Sequence, residues 1–210
     1  QFFSPRGTDK NHVIITNNKV MKTALILHGM PDKENYFDPT ADSQSNCHWL
    51  PWLQQQLNIH GVLAQTPEMP EPYNPDYEKW KEVFEKFKID EHTVLIGHSC
   101  GGGFIVKYLS ENNIKVSKVV LVAPWINSGK EDDVPMFDNL QIDPDLIDKT
   151  TGVTILSSSD DDRAIKNSID VLRDVIKNIK VLEFENYGHF CLGDMKTREF
   201  PELLKEVLNS

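Results

Sequence analysis

Leu95-Ile96-Gly97-His98-Ser99-Cys100-Gly101-Gly102-Gly103 is the stretch on which the reading of this chain turns. Gly97 to Gly101 fits G-x-S-x-G, a pattern in which a strand turns sharply into a helix and holds a serine hydroxyl above the edge of a sheet. Three fixed positions in five arise by chance in many chains, so the flanks decide. On one side Thr93-Val94-Leu95-Ile96 is β-branched and apolar, as a short strand requires. On the other, Phe104, Ile105, Tyr108 and Leu109 recur at the spacing of one helix face. Glycines at 97 and 101 suit an elbow whose backbone segments come too close for side chains. The competing reading is a turn that cradles a phosphate on the helix N-terminus. It ranks lower, because neither a P-loop lysine nor G-x-G-x-x-G spacing is there.

Moving outward, the same alternation of strand and helix continues. Thr23 to Leu27 is a continuous apolar run, expected of a strand buried on both faces of a parallel sheet. Further strands are predicted at Val62 to Gln65, Val116 to Val122, Val153 to Leu156 and Val181 to Phe184. Helical faces are predicted at Trp49, Leu50, Leu53 and Leu57, with Pro51 in the first turn. Others follow at Tyr77, Trp80, Phe84 and Phe87, at Ile165, Ile169, Leu172 and Ile176, and from Phe200 to Leu208. Asp32 to Asn46 reads as a long loop. Ile126 to Thr151 is acidic, with a short helical turn near Asp145 to Ile147, and is the natural place for a small cap. The alternation implies an α/β fold, a parallel sheet with helices on both faces joined by right-handed crossovers.

Composition bounds the function. A chain of 210 residues supports one sizeable core, so one domain over 21–210 is expected. Residues 1–20 read as an extension, whether a tag remnant, a tail or an added edge strand on Val13 to Ile15, with Met21-Lys22-Thr23 as a natural start. The net charge of -10 argues against nucleic acid as a partner. No apolar run approaches the roughly 20 residues that cross a bilayer, so no membrane partner is expected. Three cysteines at wide spacing read as free thiols, which places the protein in the cytoplasm.

A serine nucleophile needs a base, and the base needs a carboxylate to fix its tautomer. The chain supplies Ser, Asp and His in that order, each after a strand: Ser99, then Ser157-Ser158-Ser159-Asp160-Asp161-Asp162, then Glu185-Asn186-Tyr187-Gly188-His189-Phe190. His189 is the base candidate among seven histidines. His28 and His98 belong to turns beside the site and read as packing groups or as supports of the site residues; His12, His48, His60 and His92 have no convergent partner in the sequence. His28-Gly29-Met30 follows the first buried strand, where the second donor of an oxyanion hole belongs. The expected donors are the backbone N–H groups of Cys100 and Met30. Trp125 and Phe190 follow strand ends and are candidates to line a substrate pocket. No Cys/His set has zinc spacing, and no metal or cofactor is expected; the three aspartates leave calcium as a minor alternative.

His28-Gly29, His48-Trp49-Leu50-Pro51-Trp52-Leu53, Glu68-Met69-Pro70, Gly97-His98-Ser99, Ser159-Asp160-Asp161 and Gly188-His189-Phe190 together resemble the small α/β-hydrolase family related to retinoblastoma-binding protein 9. The resemblance runs from about Met21 to the C-terminus. It implies a single-domain α/β-hydrolase-like three-layer sandwich, with about six mostly parallel strands and no large lid, and serine hydrolase activity. It carries Ser99 onto the nucleophile and His189 onto the base. The family's acid is usually the second aspartate of a pair followed by an apolar residue and proline, and that proline is missing here. Counting from the strand selects Asp161, which is the expected acid; counting back from the helix selects Asp162, and Asp160 also stays open. The expected activity is cleavage of a carboxylic ester, or an amide, of a small molecule. The alternatives are a hydrolase-fold binding protein with impaired catalysis and an acyltransferase.

Overall fold

A computed structural model describes residues 21–126 and 134–209. The extension 1–20 and residues 127–133 of the acidic segment lie outside the described residues. Six strands form one sheet: β1 (Thr23–Leu27), β2 (Leu63–Gln65), β3 (Thr93–His98), β4 (Lys118–Val122), β5 (Val153–Ser158) and β6 (Lys180–Phe184). Their order is β2-β1-β3-β4-β5-β6, and every pairing is parallel. The central strands β3 and β4 are buried along their whole length, which explains why they read as unbroken apolar runs rather than as alternation.

The helices are α1 (Lys33–Phe37), α2 (Leu50–Ile59), α3 (Tyr77–Phe84), α4 (Cys100–Glu111), α5 (Arg163–Val175), α6 (Leu192–Met195) and α7 (Pro201–Leu208). Helices α2 and α7 touch each other, whereas α3 and α4 share the short 3-10 turn Pro135–Phe137. The sequence signals for α2, α3, α5 and α7 are their apolar stripes; α1 buries none of its residues, so it left no periodic trace. The acidic segment beyond the undescribed stretch packs inward through Met136 and Phe137, and Lys107 Nζ donates to the Met136 carbonyl at 2.8 Å.

Strand order reverses direction at β1. The chain leaves β1 toward β2 on one side, then crosses back to β3 on the other, so the C-terminal ends of β1 and β3 flank a crevice where neighbouring connections diverge. Open parallel sheets bind their ligands at such a switch point. Ser99 follows β3, and His28-Gly29 follows β1.

Candidate active site

Ser99 sits between β3 and α4 with φ 51° and ψ -121°, a conformation that L side chains rarely adopt. The surroundings impose it. Its N–H donates to the Val122 carbonyl at 2.9 Å, and its own carbonyl accepts from the N–H groups of Gly102, Gly103 and Trp125. Tight contact between helix and sheet closes the elbow: a Cβ on Gly101 would lie 2.4 Å from the His28 carbonyl oxygen, and one on Gly97 2.6 Å from Gly102. The glycines of the motif are thus required by close approach to β1 and across the turn. The Cys100 and Met30 N–H groups donate to no acceptor among the described residues. Both lie beside Ser99 in the fold, at the start of α4 and after β1. Cys100 itself is fully buried with its thiol pKa pushed up by burial, so its side chain is packing.

The turn after β1 is set by His28. Its buried ring donates from Nδ1 to the Gly29 carbonyl at 2.8 Å and accepts at Nε2 from the Met69 N–H at 2.9 Å. Burial lowers its pKa, which suits a neutral ring with one donor and one acceptor. The Gly29 carbonyl and the Met30 N–H belong to one planar peptide, so fixing the first orients the second.

The three aspartates separate by geometry. Asp161 is buried, and its Oδ1 and Oδ2 lie 3.1 and 3.2 Å from His189 Nδ1. Asp160 turns the other way, accepting from the Ser158 hydroxyl and from the Gly188 N–H. These two hydrogen bonds hold its carboxyl below the usual range. Asp162 occupies the cap position of α5, and its N–H donates to Asp161 Oδ1 at 2.7 Å. The donor Nδ1–H toward Asp161 leaves His189 Nε2 as the bare acceptor that a general base needs.

The His189 loop is held by its backbone. The N–H groups of Tyr187 and Gly188 go to Ser158 Oγ and Asp160, and those of His189 and Cys191 go to Asp194 Oδ2. Behind it, fully buried His98 donates from Nε2 to the His189 carbonyl at 2.8 Å, with the two rings 5.0 Å apart. Burial, then the neighbouring His189 and His48, keep the His98 pKa well below its ordinary value. The sequence reading of His98 as a supporting group matches this position.

Ser99 and His189 line one cleft of about 390 Å3, together with Met30, Asn35, Gln44 and His48 among others. No Ser99–His189 hydrogen bond is formed among the described residues; such bonds are often long before substrate arrives and tighten in the complex. Phe190 does not reach this cleft. At φ 56° its backbone turns the ring inward, where it is fully buried and stacked on Phe200 at 5.6 Å. Trp125 is buried against Phe137 at 5.7 Å and does not line the cleft, and its sequence leads into the undescribed stretch. Sequence reasoning passed over Asn35 and Gln44, which lie in the Asp32 to Asn46 segment read as a loop, and gave His48, just beyond it, no convergent partner. The nearest signal was Glu68 of Glu68-Met69-Pro70: its carboxylate accepts from the Gln44 and Ser45 N–H groups and folds that segment over the site. Among the described residues no group of three or more His, Cys, Asp or Glu is arranged to hold a metal ion.

Comparison with known proteins agrees with this arrangement at the level of family and fold. The putative hydrolase YdeN of Bacillus subtilis (strain 168) is 29% identical over 100 residues, which is 46% of this chain and 53% of that protein. The match therefore spans about half the length of this relative. The crystal structure of the ydeN gene product from B. subtilis superposes with a TM-score of 0.69 at 23% identity, covering 88% of this chain and 96% of that one. Est1E from Butyrivibrio proteoclasticus gives a TM-score of 0.57 at 18% identity over 90% and 91% of the two chains. A bromoperoxidase from Bacillus anthracis gives 0.61 at 14% over 90% and 92%. These structures share the α/β-hydrolase fold. Residues 39–201 match the serine hydrolase family, a span that takes in the elbow, the aspartate run and the His189 loop, and the chain belongs to that family.

Proposed function

We propose that this protein hydrolyses a carboxylic ester of a small molecule, and an amide less readily, through an acyl-enzyme on Ser99. The carrying observation is the hydrogen-bonded Asp161–His189 pair in the same cleft as a serine held at a strained elbow. His189 Nε2 takes the Ser99 hydroxyl proton as Oγ attacks the carbonyl carbon. The C=O electron pair moves onto oxygen, facing the free N–H groups of Cys100 and Met30. Collapse of that intermediate breaks the bond to the leaving alkoxide, which takes the proton from His189. Water then attacks the acyl-enzyme, gives its proton to His189, and the acid departs as Ser99 Oγ regains that proton. Asp161 keeps the imidazole in the required tautomer and stabilises its charged form. The names of the relatives, a putative hydrolase and an esterase solved with ferulic acid bound, support an ester substrate. The separated motifs support the narrower likeness to the group around retinoblastoma-binding protein 9.

The acidic balance supports a small-molecule substrate over nucleic acid, and reduced, unpaired cysteines support a cytoplasmic setting. No described helix is long and apolar enough to cross a membrane. The test is labelling with a fluorophosphonate probe together with hydrolysis of short p-nitrophenyl esters. Wild type labels and turns over, while Ser99→Ala does neither and keeps its circular dichroism spectrum. A folded wild-type protein that refuses the probe and the esters would move the assignment to a binding protein on a hydrolase scaffold.

A further inference from the structure

His48 has φ 53°, in the left-handed region, immediately before Trp49, the cap residue of α2. A non-glycine residue held there costs strain, and such strain concentrates at functional sites. Its ring lines the cleft with Ser99 and His189. Nδ1 accepts the Leu192 N–H at 3.1 Å, which assigns the ring proton to Nε2. The ring meets His98 edge-on at 5.7 Å. Partial burial, followed by the charges of His189 and Arg198, holds its pKa below the usual value, so the Nε2–H is a neutral donor. No described residue accepts that proton. Asn35 and Gln44 add uncharged hydrogen-bonding groups to the same cleft.

Binding clefts are mostly apolar, and a small number of placed polar groups fixes the orientation of the ligand; the Nε2–H of His48 is a donor of that kind. We propose that His48 is a specificity-determining residue, whose Nε2–H donates to an oxygen carried by the substrate close to its ester group. The preferred class is then short esters whose acyl or alcohol part bears an ether, hydroxyl or keto oxygen, in place of their alkyl counterparts. The inference rests on the reading of Ser99 as the acylated residue.

Two isosteric pairs test it, one for each side of the ester: p-nitrophenyl methoxyacetate against p-nitrophenyl butyrate, and 2-methoxyethyl acetate against butyl acetate. Each kcat/KM ratio is divided by the corresponding ratio for hydroxide, which removes intrinsic reactivity. For at least one pair, wild type favours the ether by roughly 3- to 10-fold, the value of one neutral hydrogen bond. His48→Phe brings that ratio to about one, and His48→Gln, which keeps a donor and an acceptor, retains part of it. A merely structural role through Leu192 would lower both members of a pair equally and leave the ratio in place. Ratios near one in wild type, or unchanged ratios in a His48→Phe that still labels with fluorophosphonate, overturn the inference and leave the hydrolase reading standing. Absence of labelling in folded wild type overturns the hydrolase reading first and the inference with it.

Discussion

Asp160, Asp161 and Asp162 carry the same side chain and differ only in where the backbone aims it. Asp161 meets the imidazole, Asp160 grips the loop that carries it, and Asp162 begins α5. Asp161→Asn keeps the shape but offers His189 an amide that favours the wrong tautomer, so kcat for p-nitrophenyl acetate falls on the order of a thousand- to ten-thousandfold. Asp160→Ala frees the Gly188 N–H and loosens the base, a displacement that costs roughly 10- to 100-fold in the same assay. If Asp160→Ala were the more damaging of the two, the acid would be misassigned. The thiols give a second residue-scale prediction. Burial first, then the neighbouring Cys191, pushes Cys47 up to about 12, and burial followed by Asp194 and Asp161 does the same for Cys191. Thiolate is the reactive form, so iodoacetamide at pH 7.5 changes ester turnover by less than about twofold over an hour, although both residues line the cleft.

At the scale of elements, the site depends on how closely α4 lies against β1 and β3. Gly101 permits that approach, since a Cβ there would meet both the Leu27 and the His28 carbonyl oxygens at under 3.0 Å. Gly101→Ala must push the helix start away from the turn that carries Met30. The expected cost is about 1–3 kcal/mol in urea unfolding, with a loss of kcat beyond what the unfolded fraction explains. A variant that is destabilised yet fully active per folded molecule would show that the spacing of the two turns does not matter to the chemistry. Helix α1 makes a contrasting case. It buries nothing, yet Asn35 and the preceding Asp32 line the cleft, so its placement depends on loop contacts and not on an apolar stripe.

At the scale of the whole molecule, one buried ionic cluster joins the last helix to the start of the sheet strands. Glu206 on α7 accepts from Lys118 of β4, Lys180 of β6 and Thr154 of β5. Burial by itself would raise the Glu206 pKa, but these donors outweigh it and hold it at about 2. Because the folded value lies below the ordinary 4.5, the stabilisation is fully present above about pH 5 and is lost as pH falls from there toward 2. After allowance for the exposed Lys180, the loss is about 2 kcal/mol, read as a falling urea midpoint between pH 5 and 3. Glu206→Gln should flatten that slope. Glu206→Ala leaves Lys118 charged and buried without its carboxylate, which costs about 3–5 kcal/mol at pH 7, and Lys118→Met in the same chain should recover much of it.

Local order was legible in the chain because it is written in periodicity and short motifs. The fully buried strands read as apolar runs, the amphipathic helices as stripes, and the elbow as glycines around Ser99, so the parallel α/β fold and the order Ser, Asp, His followed from the sequence. Counting from the strand favoured Asp161 but left Asp160 and Asp162 open, since adjacent residues in a turn point in directions fixed by hydrogen bonds to a loop 28 residues away. The same holds for Phe190, whose aromatic character suits a pocket as well as a core until a positive φ turns it inward. His48 read as a histidine without a convergent partner for a related reason: its proton is assigned by the N–H of Leu192, 144 residues along the chain. The sequence by itself determined which elements form and which chemistries are available, because those depend on neighbours within a few residues. Only the tertiary structure decided which side chains share the cleft, because that depends on contacts between segments distant in the chain, made where strand order reverses at β1.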